Sequence, residues 1–565
     1  MCTSEKEPVA IGKVQSVDTG SVSIKVDRED MLNSVQVNQI VRIRSTKTGE
    51  KIIGMISKIM RRAISEKIDQ GTEPETVVEN IMRVNLIGTL LDKVGTRENV
   101  FKRTLNTVPS IDADCFLLDK KELSAFMNSV SHNAKNPLKI GKFTISEESD
   151  ANLDGNKFFQ RHAVIVGGTG SGKSWTIANI LEKASKLSSV DSIVFDLHGE
   201  YKPLAELENT QLLKIAGHSD THKDNVIFLP YWLLSYEEIE AMLLDRSDQN
   251  APNQARALFD LIIEKKKETL TDEKKQDILA NFTIDSPIPY KIDDVLSSLK
   301  EKDEEMIPGS RPGTEKQGPL YGKLTRFIQR LQSKQSDKRL NFIFNSDKSL
   351  LDFNWLETLV SKLLDFGKEK RGLKIIDFSE VPSDILPLIA GLIGRLVLSI
   401  QQWMPDDKRH PVALFCDEAH LYISTNAKSS IDERALVAFE RIAKEGRKYG
   451  VSLLVISQRP ADVNKTVLSQ CGNFIAMRLT NPDDQNVVKR LFPDNLGDFA
   501  EMLPILDIGE SLIIGDAALL PSRVKIDEPT IKPNSATVDI WDEWAKAKSE
   551  NGIHEAVESL RKQQK

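Results

Sequence analysis

An α/β fold with a mainly parallel, doubly wound sheet, a small N-terminal β-barrel and a helical insertion is what this sequence predicts. Three observations carry that reading. Short apolar runs alternate with helix-like segments over residues 161–200 and again over 373–479, the pattern of strands joined by crossover helices. Residues 8–60 alternate apolar and polar between Gly and Asn turns, as the short strands of a barrel do. Between the two α/β stretches, residues 232–372 turn helical and charge-rich.

Taken in order, AIGKVQSVDTGSVSIKV and QVNQIVRIRSTKTGEKIIGMISKIM supply the barrel strands, and MRVNLIGTLLDK (82–93) continues them. Residues 100–160 carry Pro109, Pro137 and the polar stretch SEESDANLDGN (146–156), and read as a connector. HAVIVG (162–167) reads as a short buried strand, TIANILEKASKL (176–187) as the helix after it, and DSIVFDLHGEY (191–201) as a second strand. EEIEAMLLDR, ALFDLIIEKKKE and GKLTRFIQRLQSK are the clearest helices of the insertion, with a break at IPGSRPGTEKQGP (307–319). Strands return at LKIIDFS (373–379), VALFCDE (412–418), VSLLVISQ (451–458) and NFIAMRL (473–479). The expected segments are therefore 1–100 for the barrel, 101–205 and 373–525 for the two parts of the core, 206–372 for the insertion and 526–565 for a tail.

Bulk composition narrows the class. At 565 residues the chain exceeds a single core. It is 40% hydrophobic and 28% charged with a net charge of −7, which argues against a basic coat but not against a local grip on nucleic acid. The first residues lack the apolar stretch of a signal peptide. The longest apolar run, ILPLIAGLIGRLVLSI (385–400), holds Pro387 and Arg395 and reads as a buried helix, not a membrane span. Cys2, Cys115, Cys416 and Cys471 have no paired metal spacing. A cytoplasmic protein with no membrane partner is the expectation.

The sharpest motif is Gly167-Gly168-Thr169-Gly170-Ser171-Gly172-Lys173-Ser174, which fits G-x-x-x-x-G-K-[ST] between a strand and a helix. Backbone N–H groups of such a loop wrap phosphates that a Cβ would push away. Lys173 adds charge for the outer phosphates, and the Ser174 hydroxyl suits Mg²⁺. Trp175 follows directly and is grouped with the nucleotide-binding residues. The substrate class is a nucleoside triphosphate, with ATP and Mg²⁺ expected.

Two further strand ends carry chemistry. VALFCDE ends in paired acids, of which Asp417 is assigned to the metal and Glu418 to the general base that polarises the attacking water. Gln458 ends VSLLVISQ at the edge where ligands bind in open α/β sheets, placed to sense γ-phosphate. In DERALVAFERIAKEGRKYG, Arg434, Arg441 and Arg447 are candidates for transition-state charge, Arg447 foremost because it precedes the sensor strand. Arg161, at the entry of the phosphate-loop strand, is a candidate for a neighbouring subunit's nucleotide. His198 and Glu200 of DLHGEY lie at another strand end and form no metal cluster.

RHAVIVGGTGSGKSW, IVFDLHGEY, ALFCDEAHLYI, FERIAKEGRKYGVSLLVISQRP and VLSQCGNFIAMRLTNPDDQ together resemble the HerA family of DNA-translocating ATPases, bacterial type, within the HerA/FtsK branch of RecA-like P-loop motors. GESLIIGDAALLPSRV (509–524) is similar as well. The resemblance implies a homo-hexameric ring with double-stranded DNA in its channel and nucleotide sites between subunits. It implies Gln458 as polar sensor, Arg447 as the cis arginine and Arg161 as the trans arginine. It also implies a separately encoded nuclease or other effector docking on the barrel, in DNA end processing or defence against phage. The insertion carries no family motif, and the first hundred residues match by pattern more than identity.

Sequence-independent translocation needs phosphate contacts without base readout. The candidate segments are 424–434 with Lys428 and 459–466 with Lys465, besides a stripe of Lys323, Arg326, Arg330 and Lys334 on one helix face. The leading function is ATP hydrolysis driving movement on duplex DNA. The alternative is an ATP-gated ring scaffold that assembles and activates an effector, with translocation secondary. A third reading, an ATPase powering conjugation or secretion at a membrane, is disfavoured because no membrane anchor is expected.

Overall fold

A computed structural model describes residues 9–26, 29–32, 35–66, 75–95, 97–105, 107–131, 136–217, 219–221, 223–311, 313–345, 347–364, 372–492, 497–535, 540–546 and 552–562. The chain divides into two compact units. One comprises Met1–Ile180, Gln458–Ala461 and Gly472–Pro529, the other Leu181–Ser457, Asp462–Cys471 and Thr530–Lys565.

The first unit opens with strands β1 (Gly12–Val17), β2 (Ser21–Lys25), β3 (Ile40–Arg44), β4 (Glu50–Glu66), β5 (Glu75–Val94), β6 (Arg97–Lys102) and β7 (Asp114–Leu117). They run in the order β2-β1-β7-β3-β4-β5-β6, and β2 also pairs with β5 to close a barrel. The alternation read from the sequence is the physical cause. Val14, Val22, Ile24, Val41, Ile43, Ile52, Ile56, Met82 and Val84 all point inward, and closure removes the exposed strand edges. The barrel is not finished by residue 100, because β7 sits between β1 and β3. Residues 67–74, between β4 and β5, lie outside the described residues, as do the side chains of residues 64–77.

The expected connector is structured. Helix Lys120–Val130 is held by a capping box, with Asp119 accepting from the Glu122 N–H. It is followed by β8 (Leu138–Phe143) and β9 (Ser146–Leu153), an antiparallel hairpin. The polar stretch within the expected connector is thus mostly a strand, whose inward positions are filled by Ser149, Ala151 and Leu153. Small and hydroxyl side chains hide a strand from a hydrophobicity reading. The phosphate-loop strand β10 (Ala163–Val166) comes next, buried throughout.

In the second unit β11 (Ser192–Asp196), β12 (Thr210–Ile215) and β13 (Val226–Ile227) precede the helices. The helical stretch therefore begins near Tyr236, close to the expected 232, and runs to Leu364, while the segment assigned to the insertion from 206 opens with sheet strands. Its expected break contains a short hairpin, β14 (Met306–Pro308) and β15 (Glu315–Gln317). The sheet resumes with β16 (Leu373–Asp377), β17 (Val412–Cys416) and β18 (Val451–Ser457). The order β13-β12-β16-β11-β17-β18 is parallel at every pair within this unit. Near-continuous burial of β11, β16, β17 and β18 is what a sheet covered on both faces demands. Helix Leu386–Trp403 packs against helix Ser430–Glu445. It is long and apolar enough to cross a membrane by composition, and 72% of it is buried inside the protein.

The first unit is completed by β19 (Asn473–Met477), β20 (Glu510–Gly515) and β21 (Ser522–Ile526). β19 pairs in parallel with β10, and antiparallel pairing then extends through β20, β21, β8 and β9. The described part of the tail forms helices Ile540–Ala545 and Ile553–Lys562, neither with a buried residue.

Candidate nucleotide site

In the first unit the phosphate loop is shaped by backbone alone. After β10, Gly170 takes φ +71° and Gly172 φ +103°, conformations that L side chains avoid. A Cβ on Gly172 would stand 3.0 Å from Met477 Cε and 3.2 Å from Gly509 Cα, while one on Gly170 would meet nothing within 4 Å. One side of the loop is pressed against β19 and the Gly509 turn, and the Gly170 crest is open. The anchors are backbone bonds. The Gly168 N–H donates to Arg478 O (2.8 Å), the Gly509 N–H to Ser171 O (2.9 Å), and the Thr176 N–H to Gly172 O (2.9 Å). The Thr176 hydroxyl donates to the same Gly172 carbonyl at 3.0 Å. These bonds set the loop against the start of helix Lys173–Ser185, whose N-terminal end carries the positive pole of the helix dipole and so favours an anion. Lys173, Ser174 and Trp175 occupy the first turn, half-buried.

Gln458 also belongs to this unit. Its Oε1 accepts from the Thr169 hydroxyl at 3.0 Å, so the sensor amide is tied to the phosphate loop itself. Arg161 is elsewhere. It stands before β10, with Nε 3.5 Å from Asp516 Oδ2, while the phosphate loop follows the strand's other end. Four residues of strand separate the two by about 13 Å, so Arg161 does not serve the phosphate loop of its own chain.

The second unit gathers acids along the C-terminal edge of its parallel strands. Asp196 pairs in register with Asp377, and Phe195 with Cys416, which sets Asp417 beside them. Asp417 and Glu418 are both buried. Glu418 has a left-handed backbone, φ 45° and ψ 41°, a conformation costing a non-glycine residue about 1–2 kcal/mol. The turn is secured by the Glu418 N–H to Asp417 Oδ1 (2.9 Å), the Tyr422 hydroxyl to Asp417 O (2.8 Å) and the Leu421 N–H to Glu418 O (2.9 Å). Strain of this kind gathers where a side chain must be aimed.

DLHGEY serves this edge through residues that the sequence reading passed over. Asp196 accepts the N–H groups of Glu200 and Tyr201, each at 2.9 Å. Burial pushes its carboxyl up to about 6, with those N–H bonds opposing and Asp377 adding to the rise. Tyr201 is fully buried with Asp417 facing it. Burial, then the charges of Asp417, Glu200 and Asp196, push its hydroxyl well above its ordinary value. Burial also raises Asp377, but Lys202 Nζ at 2.7 Å and Ser379 more than reverse this and hold it low. His198 is exposed and Glu200 half-buried.

Of the helix arginines, Arg434 pairs with Glu237, and Arg441 reaches Glu445 and Gln402. Both tie helix Ser430–Glu445 to its surroundings. Arg447 is exposed in the turn Gly446–Tyr449. The two segments proposed for DNA lie side by side, joined by a bridge between Ser424 and Val463 and by the Thr425 N–H to Asp462 O (2.8 Å). Lys428 and Lys465 are exposed on them. The other basic stripe is weaker. Lys323 precedes helix Thr325–Ser336, and Arg330 is taken by Asp245 at 3.1 Å.

A glycine loop opening a helix after a buried strand, in a chain whose parallel strands end in an acid pair, defines a P-loop ATPase. Comparison with known proteins gives the family. Residues 138–397 match the profile described as Helicase HerA, central domain, and 401–549 that of Helicase HerA-like C-terminal. A probable helicase of Methanocaldococcus jannaschii is 28% identical over 414 residues, 72% of this chain and 70% of that one. A DNA double-strand break repair helicase HerA of Sulfurisphaera tokodaii is 28% identical over 430 residues, 74% of this chain and 75% of the other. Among solved structures, VirB4 of Thermoanaerobacter pseudethanolicus has a TM-score of 0.46 at 17% identity, covering 70% of this chain and 98% of its own. Plasmid coupling protein TrwB in complex with ADP and Mg²⁺ has a TM-score of 0.43 at 13% identity, covering 72% and 94%. The chain belongs to the HerA helicase family.

Proposed function

We propose that this protein hydrolyses ATP to drive movement along double-stranded DNA, as a cytoplasmic homo-hexameric ring acting with a separately encoded nuclease or effector in DNA end processing or antiviral defence. The observation that carries the reading is the phosphate loop, whose backbone leaves room for phosphate and none for a side chain at Gly172. Membership in a helicase family and relatives named for double-strand break repair support the DNA substrate.

Lys173 supplies a point charge to the outer phosphates. Glu418 accepts a proton from the attacking water on its carboxylate, in a buried setting that keeps bulk solvent from competing. Gln458, held by Thr169, orients that water and registers loss of the γ-phosphate. The open Gly170 crest and the hydroxyl and carboxylate chemistry of Ser174 and Asp417 suit a hard cation with oxygen ligands. Mg²⁺ would neutralise charge on the phosphate oxygens, with Ser174 in the first unit and Asp417 in the second each offering an oxygen ligand of the kind it takes. Arg447 in cis and Arg161 from a neighbouring subunit would stabilise transition-state charge, and exposure of both side chains leaves them available for that role.

The experiment is ATP turnover by the purified protein with and without linear duplex DNA, alongside its mass in solution. DNA-stimulated hydrolysis by a hexamer is expected. Turnover that ignores DNA but rises with a co-purifying protein would replace the motor with the effector-activating scaffold.

A further inference from the structure

The acid pair is followed by a histidine whose ring the ATPase reading leaves unused. His420 Nδ1 lies 3.3 Å from Glu418 Oε2 and 3.2 Å from Ser457 Oγ. The ring is mostly buried, and Ser457 is fully so. The backbone explains the placement. Glu418 in its left-handed conformation starts a tight turn over Ala419–Leu421, which folds residue 420 back beside residue 418. Ser457 is the last residue of β18, the parallel neighbour of β17, which ends just before the acid pair. One ring nitrogen therefore touches both the proposed base and the end of the next strand. The residue after Ser457 is Gln458, whose amide is bonded to Thr169 of the phosphate loop.

We propose that His420 is a positioning residue, which fixes the Glu418 carboxylate and ties its orientation to the end of the sensor strand. A proton on Nδ1 makes the contact with a carboxylate favourable, and the same N–H is within reach of the Ser457 hydroxyl. The base is thus aimed by a donor whose place depends on where β18 ends. His420 itself touches no substrate in this account. Its effect is on the rate of the chemical step and not on nucleotide affinity.

The inference rests on the ATPase reading, and the test separates the two. Turnover and nucleotide binding are measured for wild type, His420→Ala, His420→Asn and Ser457→Ala. His420→Ala is expected to lower kcat about tenfold or more while KM and the Kd for a non-hydrolysable ATP analogue stay within about twofold. His420→Asn, whose amide N–H stands near the position of Nδ1, is expected to restore most of that loss. Ser457→Ala should fall between the two. In a Glu418→Gln background His420→Ala should cost nothing further, because residues acting as a unit are non-additive. A wild-type kcat in His420→Ala would overturn the proposal. So would a loss of binding and melting temperature in step with kcat that Asn does not rescue, since that is a structural role only. A wild-type protein that binds no ATP would instead overturn the ATPase reading and, with it, the role for His420.

Discussion

The phosphate loop of the first unit and the acid edge of the second are built by opposite means. The loop binds with backbone. Its shape comes from glycine dihedrals and from three backbone bonds, Gly168 N–H to Arg478 O, Gly509 N–H to Ser171 O and Thr176 N–H to Gly172 O. The acid edge works with side chains, and almost every one is set by another. Asp196 holds the turn that carries Tyr201, Tyr201 faces Asp417, Tyr422 secures the backbone of Asp417, and His420 touches Glu418. A backbone site should tolerate changes around it and fail when its own residues change. A side-chain site should lose rate gradually as its supports are removed.

The two regions should therefore break differently. Glu418→Gln should reduce turnover about a thousandfold, within the span of general-base catalysis, while a fluorescent ATP analogue still binds within a few-fold of wild type. Lys173→Ala should weaken that same binding about a hundredfold, and turnover will be lost for want of substrate. If Glu418→Gln hydrolyses ATP at near-normal rate, the base is a different residue. If both variants lose binding equally, the division between the two regions fails.

Gly172→Ala sharpens the contrast on the backbone side. A Cβ at φ +103° and 3.0 Å from Met477 costs about 1–2 kcal/mol in conformation alone. The expected result is a lowered melting temperature and nucleotide binding weakened about tenfold. An alanine variant that binds ATP normally would show that the loop does not rely on its left-handed glycine. Smaller effects should come from the exposed loops. Lys428→Ala and Lys465→Ala should each lower DNA-stimulated turnover a few-fold and spare basal turnover, with a shallower dependence of DNA affinity on salt. Equal loss of basal and stimulated rates would remove these lysines from DNA contact.

The same contrast explains how much the sequence disclosed. The phosphate loop was readable residue by residue because a backbone site occupies consecutive positions, and β10, β11, β16, β17, β18 and β19 announced themselves as apolar runs. The wiring of the acid edge was not readable. His420 meets Ser457 across 37 positions, and Tyr201 reaches Asp417 from another strand's turn, so no local spacing encodes either. DEAH was visible as letters, but only the left-handed turn at Glu418 reveals that the histidine folds back. In β9 an inward face of Ser, Ala and Leu conceals a strand. In β12 the polar Thr210, Gln211 and Lys214 do the same, which is why the insertion segment was drawn from 206 although its helices were expected only from 232. Arg330 was read as one of a basic stripe for DNA phosphates because Asp245, which takes it, lies 85 positions away.

A last effect, on stability and not on turnover, concerns the helical stretch, where a charge is buried far from any proposed chemistry. Lys266 is 2% exposed, and its Nζ donates to Ile284 O at 2.6 Å and Ser286 O at 2.7 Å. Burial lowers its ammonium to about 8, with Asp285 opposing. A folded value below the unfolded one means that the folded chain gives up this proton first. Between about pH 8 and 10.5 the unfolded state binds more protons here, so this group makes stability rise with pH, by roughly 3 kcal/mol in all. Other lysines and tyrosines titrate in the same window, so the informative quantity is a difference between variants. Denaturant unfolding of wild type and Lys266→Met at pH 7.5 and 9.5 isolates it. The methionine chain leaves two carbonyls without their donor, at about 1–3 kcal/mol, independent of pH. Wild type should gain on the variant as pH rises, and identical pH slopes would show that Lys266 keeps its proton throughout.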